Sequence, residues 1–443
     1  MWLLKLYPKT LLRRLRHYTS KLWVRVLGMG LLAFVTLAIA PLVEALLPEN
    51  IGIKLDGAAA DRLLNIIANA MLAVTTFSLT VMVTVYRSSS QQWTPRVHRL
   101  IIEDRTTQNT LAVFIGAYVY ALTGIVLREL DVFTDNSAPV LFFVTAAVIA
   151  LIVIYLIRWV LHLQTLGSLI NTARQIEDVT RDCFRERLRN PCLGANPLTG
   201  DIPDDVDQIT ANESGYVQYI YPEALQQAAR AFGKEIYLDA NIGGFVFLNA
   251  PLAHFRDCPS DEEIETDFES LEEAIRANIK LGDVRTYDQD PRFGLITMGE
   301  VASRALSPGI NDPGTAIDMI TRIGRVLTFY EDEVEKDREQ EILDRLYVRP
   351  LDPGDLLEDG FGTLARDGVM LVEVQQRMQK AFSALAQHPD KGLRQAAETA
   401  AKVTLRRALE QMDFYRDRER LCAILEPAMV REVETQIERA NDK

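Results

Sequence analysis

The chain has 443 residues, 48% of them hydrophobic, and a formal net charge of −13 at pH 7. The charge is unevenly divided: residues 1–163 hold 15 Lys and Arg against 9 Asp and Glu, which leaves 33 against 52 in the remainder. So acidic a remainder excludes DNA or RNA as its main partner, since phosphate backbones are bound by clustered Lys and Arg, and the leading third is too apolar for an ordinary soluble domain.

Residues 1–25 form a basic N-terminal segment in which Leu11, Leu15, Tyr18 and Leu22 fall on one helical face beside Arg13, Arg14 and Lys21. Such a face suits a helix lying on an anionic membrane surface, and a plain basic anchor explains it equally. Four charge-free runs follow, Val26–Val43, Leu63–Val85, Thr106–Leu127 and Asn136–Ile157. At 1.5 Å per residue each can cross a hydrocarbon core of about 30 Å, so residues 26–161 are expected to be a four-helix transmembrane domain in a lipid bilayer. Lys and Arg collect before the first run and between the second and third (Arg87, Arg96, Arg99, Arg105), whereas the other two connections carry more acid than base. Basic flanks stay on the cytoplasmic side, which places both termini in the cytosol of a bacterium with the chain in its inner membrane. The basic lead is too long for a cleaved signal peptide, and Pro41 would follow the cut after Ala38–Ala40.

The second run carries polar residues at helical spacing. Asn65, Asn69, Thr76, Thr80 and Thr84 fall within roughly 100° of one another on a helix of 3.6 residues per turn. One explanation is a polar path through the bilayer, which a four-span subunit could line only in a homo-oligomer. The other is helix packing, because Thr returns its hydroxyl to the carbonyl one turn back and is cheap in a membrane helix. No span holds a buried charge, which weighs against proton-driven transport.

Beyond the fourth run, Leu163, Leu166, Ile170, Ala173 and Ile176 continue a helical period, so residues 162–189 are expected to prolong that helix. "NPCLGANPLTGDIPDD" then marks a loop. Within 212–256 the period becomes two, with strands expected at Ser214–Tyr221, Lys234–Ala240 and Gly244–Leu248 around a helix at Glu223–Phe232, and a hairpin turn at "NIGG". Residues 260–443 look helical, beginning with Ser260 as a cap and continuing through Met298–Leu306, Pro313–Glu331, Gly362–Ala386 and Leu393–Ile424. The fold class is therefore membrane α-helical with four transmembrane helices, plus a cytosolic α+β region comprising a small β domain and a C-terminal helical bundle.

Chemistry-bearing patterns are few. Cys183, Cys192, Cys258 and Cys422 have no paired spacing, so free thiols are expected, with no metal site, no cofactor and no catalytic residue. The most unusual stretch is "GEVASRALSPGINDPGTAIDMITRIG", in which Ser307-Pro308-Gly309 stops one helix and Asp312-Pro313 starts the next. A helix start beside Arg304, with Asn311 and Thr315 nearby, could hold a small anion, and a rigid turn capped by Asp312 explains the same residues. Arg285, Asp290, Glu300 and Asp312 could likewise form a charged pocket or a structural ion-pair network.

"GDVRTYDQDPRFGLITMGEVASRALSPGINDPGTA" (Gly282–Ala316), "YRSSSQQWTPRV" (Tyr86–Val97) and "SGYVQ" (Ser214–Gln218) together resemble a family of bacterial predicted membrane proteins catalogued as a domain of unknown function. Arg285, Thr286, Gln289 and Asp290 match the family's Arg-Thr and Gln-Asp pairs. Ser307–Gly309 and Asn311–Pro313 match its turn. The resemblance covers nearly the whole chain and implies topology and location but no activity. The function expected is an oligomeric channel-like or transport-related protein regulated by its acidic cytosolic domain, with a membrane-anchored sensor or scaffold as the alternative and a membrane enzyme behind both.

Overall fold

A computed structural model describes residues 24, 26–28, 31–32, 34–36, 38–39, 57–102, 104–130, 138–258, 266, 268–334 and 342–441. The chain divides into two compact units, Met1–Thr172 and Ala173–Lys443.

The first unit contains α1 (Gly57–Gln92), α2 (Pro95–Ile102), α3 (Arg105–Glu129) and α4 (Ala138–Leu163). Three helical stretches among the described residues are long and apolar enough to cross a membrane, Ala58–Ser90, Pro95–Glu129 and Pro139–Leu163. They contain most of the second, third and fourth apolar runs. Of the first run, the described residues are helical, but too few are described to measure a span; apart from Val24, the basic segment 1–25 lies outside the described residues.

One face of α1, with Leu64, Ile67 and Met71, packs into a core with Phe114, Ala117 and Tyr120 of α3 and Leu141, Val148 and Ile152 of α4. Close approach depends on Gly124, where a Cβ would stand 3.1 Å from the Leu64 side chain. Two polar ties lie inside this bundle: the Tyr120 hydroxyl meets Thr145 at 3.1 Å, and Arg128 pairs with Asp61 at 3.0 Å. His162 lies 3.0 Å from Asp104, whose carboxylate also caps α3 at Thr107.

The second unit follows α5 (Leu169–Arg189) through a 3-10 turn at Pro191–Gly194 into β1 (Ala195–Pro197), β2 (Asp207–Thr210), β3 (Gly215–Ile220), α6 (Pro222–Ala231), β4 (Lys234–Leu238), β5 (Phe245–Val246) and β6 (Pro251–Asp257). Next come α7 (Leu271–Asn278), β7 (Ile279–Gly282), α8 (Pro291–Ala305), α9 (Pro313–Leu327), β8 (Leu343–Val348), α10 (Pro353–Asp367), α11 (Val372–Leu385), α12 (Lys391–Gln411), α13 (Tyr415–Cys422) and α14 (Pro427–Asn441). The larger sheet has strand order β1-β8-β4-β6-β2, and the smaller has β5-β3-β7. In the larger sheet β8 runs parallel to both its neighbours, while β6 is antiparallel to β4 and β2.

The strands thus extend past 212–256 at both ends: β1 precedes that segment, and β7 and β8 come from the stretch expected to be helical. β8, "LDRLYV", carries charge at Asp344 and Arg345 and lacks strict alternation, because a strand flanked on both sides is set by its neighbours more than by its own period. "NIGG" makes no hairpin. β4 belongs to one sheet and β5 to the other, and the turn between them closes through the Gly244 amide on the Asn241 carbonyl, 2.9 Å. Ser260 lies outside the described residues; the serine that caps α7 is Ser270, whose hydroxyl accepts from the Glu273 amide at 3.2 Å. The long helix expected at Gly362–Ala386 is two helices, α10 and α11, broken where Gly368 ends α10.

Candidate functional site

Asn65, Asn69, Thr76, Thr80 and Thr84 are all exposed on α1, on the side away from the Leu64–Ile67–Met71 seam, in company with Ile66, Leu72, Phe77 and Val83. Each of their side chains donates to its own helix one turn back: Asn65 to the Asp61 carbonyl (2.9 Å), Asn69 to Asn65 (3.0 Å), Thr76 to Leu72 (2.9 Å), Thr80 to Thr76 (2.9 Å) and Thr84 to Thr80 (2.9 Å). The stripe therefore makes no hydrogen bond to another described helix of its own subunit. A threonine is largely satisfied by this arrangement, whereas each asparagine amide retains an oxygen and a second N–H for other partners. At the far end Ser89 turns inward, donating to the Tyr86 carbonyl and meeting His98 at 2.9 Å.

In the second unit, Arg285 and Asp290 form a close pair. Two guanidinium nitrogens donate to one Asp290 oxygen at 2.9 and 2.7 Å, while the other oxygen accepts from the Phe293 amide at 3.0 Å and caps α8. Asp290 is 2% exposed. The cause of its unusual environment is dehydration, which raises the carboxyl's pKa against the opposing pull of Arg285. Gly243 secures this geometry: it has φ +79°, and a Cβ there would stand 2.0 Å from Asp290 Oδ2. Gln289 ties the same corner to β3, accepting from the Ile220 amide (2.9 Å) and donating to the Ile220 carbonyl (3.0 Å).

The Ser307–Asp312 connection lies at the other end of α8. The Ser307 amide donates to the Arg304 carbonyl (3.1 Å), Asn311 adopts φ +49°, and the Asp312 amide reaches back to Ala305 (2.8 Å). Asp312 then caps α9, accepting from the Thr315 amide at 3.1 Å and from the Thr315 hydroxyl at 2.5 Å. Those contacts hold its carboxyl below the usual range, the Thr315 hydroxyl contributing most. The position an anion would take at this helix start is thus occupied by the chain's own carboxylate. Asp290 and Asp312 cap successive helices and stand apart by the length of α8, about 20 Å for its 15 residues; Arg285, Asp290 and Asp312 do not share a pocket.

Asp290 and Gln289 instead border a cleft of about 620 Å³ that also includes Arg187, Asn241, Arg292, Arg349 and Asp352. Arg187 is spoken for: it meets Glu333 at 2.6 Å with side-chain exposures of 7% and 0%, and Glu333 further accepts from the amides of Cys192 (3.0 Å) and Leu351 (2.6 Å). Arg292 is held by Asp359 and Asp355, each at 2.6 Å. The Arg349 side chain makes no hydrogen bond or ion pair among the described residues. Arg187, Glu333 and Arg349 are missed by sequence inspection because they are up to 162 positions apart and fit no motif. Among the described residues no group of His, Cys, Asp and Glu could hold a metal ion.

The family described as "Predicted membrane protein (DUF2254)" matches residues 19–384. Uncharacterized proteins of Mycobacterium bovis and of two Mycobacterium tuberculosis strains are each 27% identical to the chain over 287 residues, covering 60% of it and 52% of each relative. The chain thus spans about half the length of these curated relatives. No solved structure matches.

Proposed function

The chain belongs to the DUF2254 family of predicted membrane proteins, and for it we propose an oligomeric, channel-like or transport-related role in which α1 of each copy turns its polar stripe toward a shared axis. The carrying observation is that all five stripe side chains face away from the subunit's own bundle. In hydrocarbon the spare amide groups of Asn65 and Asn69 would each cost several kcal/mol, so water or another copy of α1 is the better neighbour. The charge distribution supports four spans in the inner membrane with the N and C termini and the acidic second unit on the cytosolic side, where that unit regulates the assembly.

Cysteine accessibility tests the path. With Cys183, Cys192, Cys258 and Cys422 replaced, single cysteines at Asn69, Thr76, Thr80 and Thr84 in the membrane-embedded protein should react with water-soluble thiol reagents faster than cysteines at Ile67, Met71 and Ser78, on the opposite, buried face of α1. If all four react as slowly as the buried positions, the path is absent. A sensor or scaffold role draws support from a different observation, the roughly 620 Å³ polar cleft of the second unit, lined by Arg349, a volume in the range of small-molecule sites. Conductance of the purified protein in liposomes separates the two: a stripe that only packs against neighbours gives none.

A further inference from the structure

Five arginines meet in one groove of the second unit, although that part of the chain is strongly acidic. Arg174, Arg181 and Arg185 recur on one face of α5, and Arg322 and Arg325 on one face of α9; with Glu177, Asp178 and Phe329 they line a space of about 420 Å³. Internal neutralisation is incomplete. Glu177, 4% exposed, takes Arg322 at 2.6 Å and Arg325 at 2.5 Å, and Arg322 also meets Asp318 at 2.7 Å. Arg181 reaches Asp178 at 2.8 Å, and its Nε, buried without a hydrogen bond, stands 3.6 Å from an Asp182 oxygen. Arg174 has no ion pair among the described residues, and Arg185 has only the face of Phe329, its guanidinium carbon 4.3 Å from the ring centroid. That leaves Arg174 and Arg185 as the two guanidinium groups of the groove without a carboxylate among the described residues, and their planar donor forks match phosphate oxygens.

We propose that the groove between α5 and α9 binds a phosphate group, with Arg174 and Arg185 as the principal donors and Arg181 closing behind them. The chemistry fits two sources. One is an anionic lipid headgroup, since α5 begins six residues after the end of α4 at Leu163 and basic groups that follow a span recognise such lipids. The other is a soluble phosphate compound. The site is separate from the α1 stripe and does not depend on its being a path.

The full-length protein in phosphatidylcholine nanodiscs should be melted alone, with added pyrophosphate, and in nanodiscs containing phosphatidylglycerol. A ligand raises the melting temperature only through the folded state that binds it. A rise with pyrophosphate in phosphatidylcholine discs assigns the groove to soluble phosphates; a rise confined to phosphatidylglycerol discs assigns it to the lipid headgroup. In either case Arg174→Gln/Arg185→Gln should weaken binding roughly tenfold or more, the usual contribution of charge-assisted hydrogen bonds. Because neither arginine pairs with a carboxylate among the described residues, the double variant's melting temperature without added phosphate should stay near that of the natural protein. Arg349→Gln, in the other cleft, should leave phosphate binding unchanged. The proposal is overturned if neither probe shifts the natural protein, or if the double variant shifts as much as the natural protein does.

Discussion

Arg187 and Glu333 show how much depends on a pair that is removed from water. Both side chains are nearly inaccessible, and Glu333 also fixes two backbone amides, so deleting one partner strands the other charge in a dry interior. Arg187→Met should therefore destabilise the second unit by roughly 3–5 kcal/mol, and Arg187→Met/Glu333→Leu by less than the sum of the two single changes. A thermal or denaturant double-mutant cycle measures the difference. Asp312 is more exposed and its effect depends on pH. Thr315 lowers its folded pKa, so its stabilisation is complete above the unfolded value of about 3.9 and disappears as pH falls through the lower folded value. Asp312→Ala should cost about 1 kcal/mol at pH 7, as loss of a cap does, and melting curves taken from pH 7 down to pH 3 should show the two proteins converging only at the acid end.

At the scale of elements, two glycines set how closely backbones approach. Gly243→Ala would force a left-handed φ on an L residue and drive its methyl into Asp290, so it should cost more than the roughly 1–2 kcal/mol of the backbone conformation alone. Gly299 of α8 faces α10 so closely that a Cβ would lie 2.8 Å from the Gly360 carbonyl. Gly299→Ala should cost about 1–3 kcal/mol, the usual range for overpacking, and melting curves of the two variants check both values. Elements with a strong period or a cap were legible in the sequence: the three apolar helices, Asp312-Pro313 at the start of α9, and β3 and β4. Those that depend on distant neighbours were not. β8 is a strand because β1 and β4 flank it, and the Arg187–Glu333 contact joins positions 146 residues apart. The charged residues singled out in sequence sit mainly at helix caps, where local chemistry fixes them; the two arginine-lined spaces come from tertiary packing, to which spacing along the chain is blind. The stripe on α1 was visible because helical periodicity alone defines it, but periodicity does not say what the stripe faces.

For the whole molecule, the proposed topology rests on the basic flanks. Reporter fusions after residues 20, 95 and 200 should report cytoplasm and those near residues 52 and 134 periplasm; a periplasmic signal at 200 would remove the fourth span from the proposed arrangement. Strand order has a further consequence, for synthesis. The inner edge of β4 is covered only by β8, which ends 110 residues later, at Val348 against Leu238. At bacterial elongation rates of about 5–20 residues per second, the ribosome needs roughly 5–20 s to supply that strand. Throughout that interval the nascent chain carries an unpaired strand edge able to join a neighbouring copy. Chains released at residue 342 should accumulate as aggregates or proteolytic fragments, whereas chains released at 352 can already close the sheet, and comparing the intact, detergent-extractable membrane yields of the two released products would expose that window.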